Sequence, residues 1–221
     1  MSALTAVLDF LFPPKCPFCG KVLSRPSEEV CPDCRKDLPY TGPEKRKADF
    51  VSSVTAPLYY EGVVRASILR FKFHGAPARG RVYGRMIARK LREEERSFDV
   101  ITWVPLSRKR LRRRGYDQAG ILAEAAAEEL GTEAEPLLEK IREIPPQSGI
   151  RTPEARRANV SGCYRVIDPN PVRGKRVLLI DDVVTTGATV SECARMLMLA
   201  GAEEVLAAAV ATPRKNKEKR Q

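Results

Sequence analysis

Two adjacent carboxylates, Asp181 and Asp182, close an apolar run that begins at Val177. After Val183 and Val184 comes Thr185-Thr186-Gly187-Ala188-Thr189, and an amphipathic stretch follows at once. A strand that ends in a Thr/Gly loop and opens into a helix is an anion cradle. Loop N–H groups and hydroxyls converge on one phosphate, and the helix N-terminus adds partial positive charge. Gly187 lets backbone approach the ligand closely. The acid pair would sit at the carboxyl end of the strand, where open α/β sheets bind ligands, and could accept hydrogen bonds from a sugar diol. No GxxxxGK[ST] is present, so this is not a P-loop. The alternative is an ordinary strand-turn-helix with an Asp/Thr cap, but a cap does not require two acids, three threonines and a glycine.

A second constellation lies near the N-terminus. Cys16-Pro-Phe-Cys19 and Cys31-Pro-Asp-Cys34 are two CxxC pairs separated by eleven residues. Each turn offers two thiolates to one ion, and two turns complete a tetrahedral four-sulfur site suited to Zn2+. Four protein ligands leave no open position, so the metal would be structural. Two disulfides or a dithiol redox pair are the alternatives. Cys163 and Cys193 lack such partners and read as buried, inert thiols.

Six of the seven residues from Arg108 to Arg114 are basic. A run of this kind is a solvated loop, or a set of phosphate contacts for a small polyanion or for single-stranded DNA. The sequence has one histidine, His74, and a lone histidine is assigned no role as a base. Gln147, Arg156 and Asn159 fall in a polar stretch that reads either as surface or as a loop able to close over a site.

These groups need a scaffold. Apolar runs at 54–60, 100–104, 164–167, 177–180 and 205–211 are predicted strands, and 63–73, 82–94, 117–130 and 189–200 are predicted helices. Val190, Cys193, Ala194, Leu197 and Met198 form one helical stripe, with Gly201 as its stop. Strands alternating with helices predict an α/β fold with a largely parallel sheet. The polar segment 41–48 reads as a linker and 214–221 as a charged, frayed tail. The division expected is 1–45 for the cysteine module and 46–221 for the α/β domain, the latter ending in a basic tail at 212–221. The length of 221 residues accommodates one full domain with a small accessory one, and 43% hydrophobic residues exclude global disorder. A net charge of +11 suits anionic partners without choosing among them. No apolar run is long enough to span a bilayer. Segment 1–12 is apolar but short, lacks a basic start and contains Asp9, so it reads as a packed helix rather than a signal peptide. A cytoplasmic location is expected, and there thiols or metal ligands prevail over disulfides.

The stretch from Val177 to Thr189 closely resembles the motif by which type I phosphoribosyltransferases bind 5-phosphoribosyl-1-pyrophosphate (PRPP). The rest of the chain narrows the resemblance to the ComF family (ComFC/GntX-like proteins). Phe71-Lys72-Phe73-His74-Gly75, Val104-Pro105-Leu106 and Arg114-Gly115-Tyr116-Asp117-Gln118 carry it, as do Gln147, Arg156, Asn159 and Gly162-Cys163-Tyr164. The chain departs from the pattern at Tyr116-Asp117, where Phe-Asn is common, and by one extra residue between Gln147 and Arg156.

The resemblance implies a type I phosphoribosyltransferase-like parallel sheet flanked by helices, preceded by a small zinc-ribbon-like module. It implies displacement of pyrophosphate from ribose C1 by a nitrogen nucleophile, with Mg2+ accompanying PRPP. Thr185, Thr186, Gly187, Ala188 and Thr189 would hold the 5′-phosphate. Asp181 and Asp182 would be the catalytic pair, contacting the ribose hydroxyls and stabilising developing positive charge. Pro105, Leu106, Ser107 and Arg108 would form the pyrophosphate turn, and Lys72 would join the PRPP site. Arg114, Gln118, Gln147, Arg156 and Asn159 are loop candidates for the same ligand. The family role implied is competence, the uptake of DNA for natural transformation, with single-stranded DNA and a ComFA-type helicase as possible partners. The alternative is a non-catalytic accessory protein associated with PRPP and single-stranded DNA.

Overall fold

The computed structural model describes residues 13–25, 27–42, 46–73, 77–143 and 158–214. The expected N-terminal helix at 1–12 lies outside them, as do His74, Gln147 and Arg156. The apolar runs form one six-stranded sheet. Strands β1 (Arg46–Ala48), β2 (Val51–Thr55), β8 (Glu204–Thr212), β7 (Arg176–Val183) and β4 (Val100–Trp103) lie side by side in that order, and β3 (Leu58–Tyr59) pairs with β8 beyond β2. All pairings are parallel except that of the edge strand β1 with β2.

Strand parity sorts the core into two layers. Leu178, Ile180, Leu206, Ala208 and Val210 face helices α2 (Gly62–Phe73), α3 (Ala78–Glu93) and α5 (Gln118–Leu130). Val177, Leu179, Val205, Ala207 and Ala209 face α6 (Ala188–Leu199). Burial on both faces explains why β7 and β8 read as continuous apolar runs rather than alternating ones. On α6, Val190, Cys193, Ala194 and Leu197 are buried as the stripe predicts, whereas Met198 emerges at 38% exposure. Helices α3 and α5 approach closely because small residues meet there. A Cβ on Gly84 would lie 2.6 Å from Ala125 Cβ.

Three expectations are corrected. Segment 41–48 is not simply a linker: its last three residues are β1, and Thr41 bonds through Oγ1 to Ala56 O at 2.6 Å. The 164–167 run does not join the main sheet. It forms β6 (Tyr164–Val166), antiparallel to β5 (Leu138–Lys140), in a separate hairpin-like pair. Residues 212–214 are not part of a loose tail, and 215–221 lie outside the described residues. Thr212 ends β8 at 2% exposure, and Arg214 pairs with Glu61 at 2.9 Å and lies 4.1 Å from the Tyr59 ring centroid.

The cysteine module is docked on the α/β domain and shares its core. Phe18 packs 5.8 Å from the Tyr83 ring, Arg70 donates to Phe18 O at 2.6 Å, and the Ser67 hydroxyl donates to Pro17 O. Glu29 pairs with Arg85 and, at 2.7 Å, with Arg89. The short helix α1 (Pro32–Asp37) begins immediately after Cys31. Among the described residues, no helix is long and apolar enough to cross a membrane.

Candidate functional site

Local chemistry builds the site at the carboxyl ends of β4 and β7. The ladder of β7 with β8 carries the chain through Asp181 and Asp182 to Val183. Val184 N donates to Ala211 O at 3.2 Å, and the Thr212 hydroxyl donates to Val184 O at 2.9 Å, so the next turn is tied to β8. Gly187 then takes φ +81° as the N-cap of α6, a residue with no side chain to cap the helix. Thr185 and Thr186 are exposed at this mouth.

Gly187 is required twice. Its backbone is left-handed, and a Cβ would lie 2.9 Å from Ala48 Cβ. Gly187→Ala is expected to lower stability by about 1–3 kcal/mol and to distort the turn. Urea denaturation measures the first effect, and titration with inorganic phosphate or PRPP the second. An unchanged midpoint would show that β1 yields without strain.

The turn after β4 is positioned by Asp117. Its Oδ1 accepts from Ala119 N and Gly120 N as the cap of α5, and its Oδ2 accepts from Leu106 N at 3.0 Å. Burial raises the Asp117 carboxyl, and the backbone donors oppose this. Ser107, 3% exposed, caps α4 (Arg108–Arg114) by accepting from Arg110 N. The basic run is thus a helix, not a loop. Its i, i+4 pair Arg110 and Arg114 lines the site, whereas Arg108, expected in the turn, is exposed and outside the lining.

Together these elements enclose a cleft of about 560 Å³. Asp181, Asp182, Thr185, Thr186, Gly187, Ala188, Thr189, Pro105, Leu106, Lys72, Arg114 and Gln118 all line it. Asn159 does not: it lies in a short helical turn, where its carbonyl accepts from Cys163 Sγ at 3.6 Å. Sequence reasoning missed Tyr60, Arg65 and Lys140, held Arg110 only within the basic run 108–114, and quoted Tyr164 for the resemblance without a site role. Helical spacing from Arg114 was a signal for Arg110; Lys140 sits in a three-residue strand with none.

The electrostatics are organised around the acid pair. Burial and the neighbouring Asp182 charge push the Asp181 carboxyl up to about 8, although Lys72 pulls the other way. Lys72 Nζ lies 2.9 Å from Asp182 Oδ1. Burial alone would lower the Lys72 ammonium, but the two aspartates outweigh it and hold it above its ordinary value. Burial lowers the Arg114 guanidinium, with Asp182 opposing. Arg114 lies 5.1 Å from the Phe73 ring centroid and donates to Gln118 Oε1. Arg114 Nε and Gln118 Nε2 are nevertheless buried without acceptors among the described residues. Two orphaned donors beside one cleft fit a ligand rich in acceptor oxygens.

The cysteine quartet is a separate site. The Sγ atoms of Cys16, Cys19, Cys31 and Cys34 all lie within 4.8 Å of one another. A tetrahedron with Zn–S bonds near 2.3 Å has edges of about 3.8 Å, so the donor set and its spacing fit Zn2+. Cys163 and Cys193 are both fully buried, and burial holds the Cys193 thiol well above its ordinary range.

Known proteins share both parts. The Double zinc ribbon domain family matches residues 7–44, and the Phosphoribosyl transferase domain family matches 119–221. Competence protein ComFC of Streptococcus pneumoniae is 32% identical over 195 residues, covering 86% of this chain and 84% of the relative. DNA utilization protein YhgH of Salmonella typhimurium is 30% identical, covering 86% and 80%. Competence protein F of Haemophilus influenzae is 28% identical, covering 87% and 82%. The two family models cover the cysteine quartet and the acid pair, and with these relatives the chain belongs to the ComF family of phosphoribosyltransferase-type proteins with an N-terminal double zinc ribbon.

Proposed function

We propose that the cleft binds PRPP with Mg2+ and transfers its phosphoribose to a nitrogen acceptor. The observation that carries this is that the acid pair, the Thr/Gly turn and the glycine-capped start of α6 line one cleft together. The 5′-phosphate would take the N–H and hydroxyl groups of residues 185–189. Asp181 and Asp182 would accept from the ribose hydroxyls, and Asp182, ion-paired with Lys72, would stabilise positive charge as the C1–oxygen bond lengthens.

Leu106 N already donates to Asp117, so that amide is not available to pyrophosphate. Lys72, Arg114 and Gln118 are the groups suited to it, and the orphaned Arg114 and Gln118 donors support the assignment. Mg2+ would neutralise charge on PRPP's own oxygens. In the transfer, the acceptor nitrogen's lone pair forms the new bond to C1. The C1–oxygen bond breaks with its electrons leaving on pyrophosphate, and the acceptor's N–H proton goes to solvent.

The outer face of α4 favours a second, compatible role. Arg108, Lys109, Arg112 and Arg113 are exposed together, and such a surface suits the phosphates of single-stranded DNA. Relatives named for competence and DNA utilization support a role in DNA uptake or handling. The deciding assay offers Mg2+, PRPP and a panel of nitrogen acceptors, with calorimetry for PRPP. Pyrophosphate release above the acceptor-free blank is expected. PRPP binding without release would favour the accessory role, and absence of PRPP binding would overturn the donor-site reading.

A further inference from the structure

Arg65, Arg110 and Lys140 line the cleft without a part in the donor site as described, and Lys140 is the one held by a buried tyrosine. Lys140 ends β5, and its register partner across the hairpin is Tyr164, the first residue of β6. Lys140 Nζ donates to Tyr164 Oη at 3.2 Å and lies 5.0 Å from the ring centroid. Tyr164 is only 3% exposed, so the hydroxyl that holds the ammonium is itself fixed.

Lys140 differs from the other cleft lysine. Lys72 has Asp182 at 2.9 Å, whereas Lys140 has no carboxylate oxygen within 4.0 Å among the described residues. Burial lowers its ammonium and Arg110 lowers it further, so its surroundings disfavour the charge it carries. A half-buried cation with one neutral hydrogen-bond partner gains from an anion that arrives to meet it.

The position says which anion. Lys72 and Arg114 both feel Asp182 and belong with the donor-binding wall. Lys140 stands on neither of the helices, α2 and α4, that carry those two groups. It stands on the β5–β6 hairpin, a different wall of the same cleft. We propose that Lys140, steadied by Tyr164, recognises the acceptor, and that the acceptor is a nitrogen compound bearing an anionic group. This rests on the PRPP reading above and adds the acceptor's chemical class to it.

Matched probes isolate the charge. Nicotinate and nicotinamide share a ring and differ in the carboxylate, as do orotate and uracil. With the full chain saturated in PRPP and Mg2+, calorimetry is expected to show at least one acid preferred over its neutral twin by about 10- to 100-fold, the scale of one charge-assisted hydrogen bond. Lys140→Met should erase that preference and Lys140→Arg retain part of it. Tyr164→Phe should weaken it while PRPP still binds.

Melting curves confirm folding of each variant, and Lys140→Gln replaces Lys140→Met should the latter not fold. Neutral twins bound as well as the acids would overturn the proposal, as would a preference that survives loss of Lys140. A Lys140→Met variant that loses PRPP affinity would assign the residue to the donor's own phosphates and also overturn it. In each of those outcomes the unsubstituted chain still binds PRPP; if it does not, the donor-site reading has failed instead.

Discussion

Asp181→Asn is expected to fold, to melt higher than the unsubstituted protein, and to bind PRPP at least about tenfold more weakly. The opposed signs have one cause. Asp181 is pushed up to about 8 by burial and by Asp182. The folded chain therefore keeps a proton on this group between pH 4 and 8 that the unfolded chain releases. Unfolding is then increasingly favoured as pH rises through that window. Asn does not titrate, so the difference in melting temperature should widen from pH 5 to pH 8 and level off above. For a chain of this length each kcal/mol corresponds to about 2–4 °C. A difference independent of pH would refute the raised carboxyl.

Asp182→Asn should behave differently. It removes the partner of the half-buried Lys72, so it should lower stability as well as PRPP affinity. The pair is therefore separable: both substitutions weaken the ligand, but only one weakens the fold.

Removal of the metal from the cysteine quartet has the largest expected effect on the whole protein. Structural zinc contributes about 10–16 kcal/mol of apparent folding free energy in small modules. Here the module is also built into the domain core. Phe18 lies against Tyr83, and the carbonyls of Pro17 and Phe18 accept from Ser67 and Arg70 on α2. Lys72 follows two residues later and reaches Asp182. Phe71 O accepts from the Tyr116 hydroxyl, next to the Asp117 that holds the β4 turn.

Cys16→Ser, at a fully buried ligand, is expected to reduce bound zinc and lower the melting temperature by on the order of 10 °C or more. PRPP affinity should fall as well, because the far end of α2 carries a cleft residue. Metal analysis, melting and PRPP calorimetry on the same preparation test this. Chelation that removes zinc yet leaves melting and PRPP binding unchanged would show the module to be an independent appendage.

The signals that were legible in sequence share a property: each is local. The acid pair, the Thr/Gly turn and the two CxxC pairs lie within short stretches whose spacing alone brings their atoms together. The long helices and the buried strands β7 and β8 were legible because their apolar runs are long enough to show a period or its absence. Elements of two or three residues, β1, β3 and β5, carry no period and form only because a neighbour supplies their hydrogen bonds. The helical state of 108–114 was hidden for another reason. Six like charges conceal any amphipathic stripe, and the helix depends on the Ser107 cap and a left-handed Gly115 at its end.

The sequence by itself determined the two chemistries, a four-sulfur metal site and a phosphate-binding turn beside paired acids, because both are written in contiguous residues. Tertiary structure decided which basic groups serve the cleft. Of the run from Arg108 to Arg114, the helical twist delivers Arg110 and Arg114 and leaves the first residue in solvent. It also brought Lys140 and Tyr164, from a strand pair outside the main sheet, to the same cavity as Asp181. That convergence depends on how helices and strands from distant parts of the chain pack to bury their apolar faces, a nonlocal outcome with no trace in any single stretch.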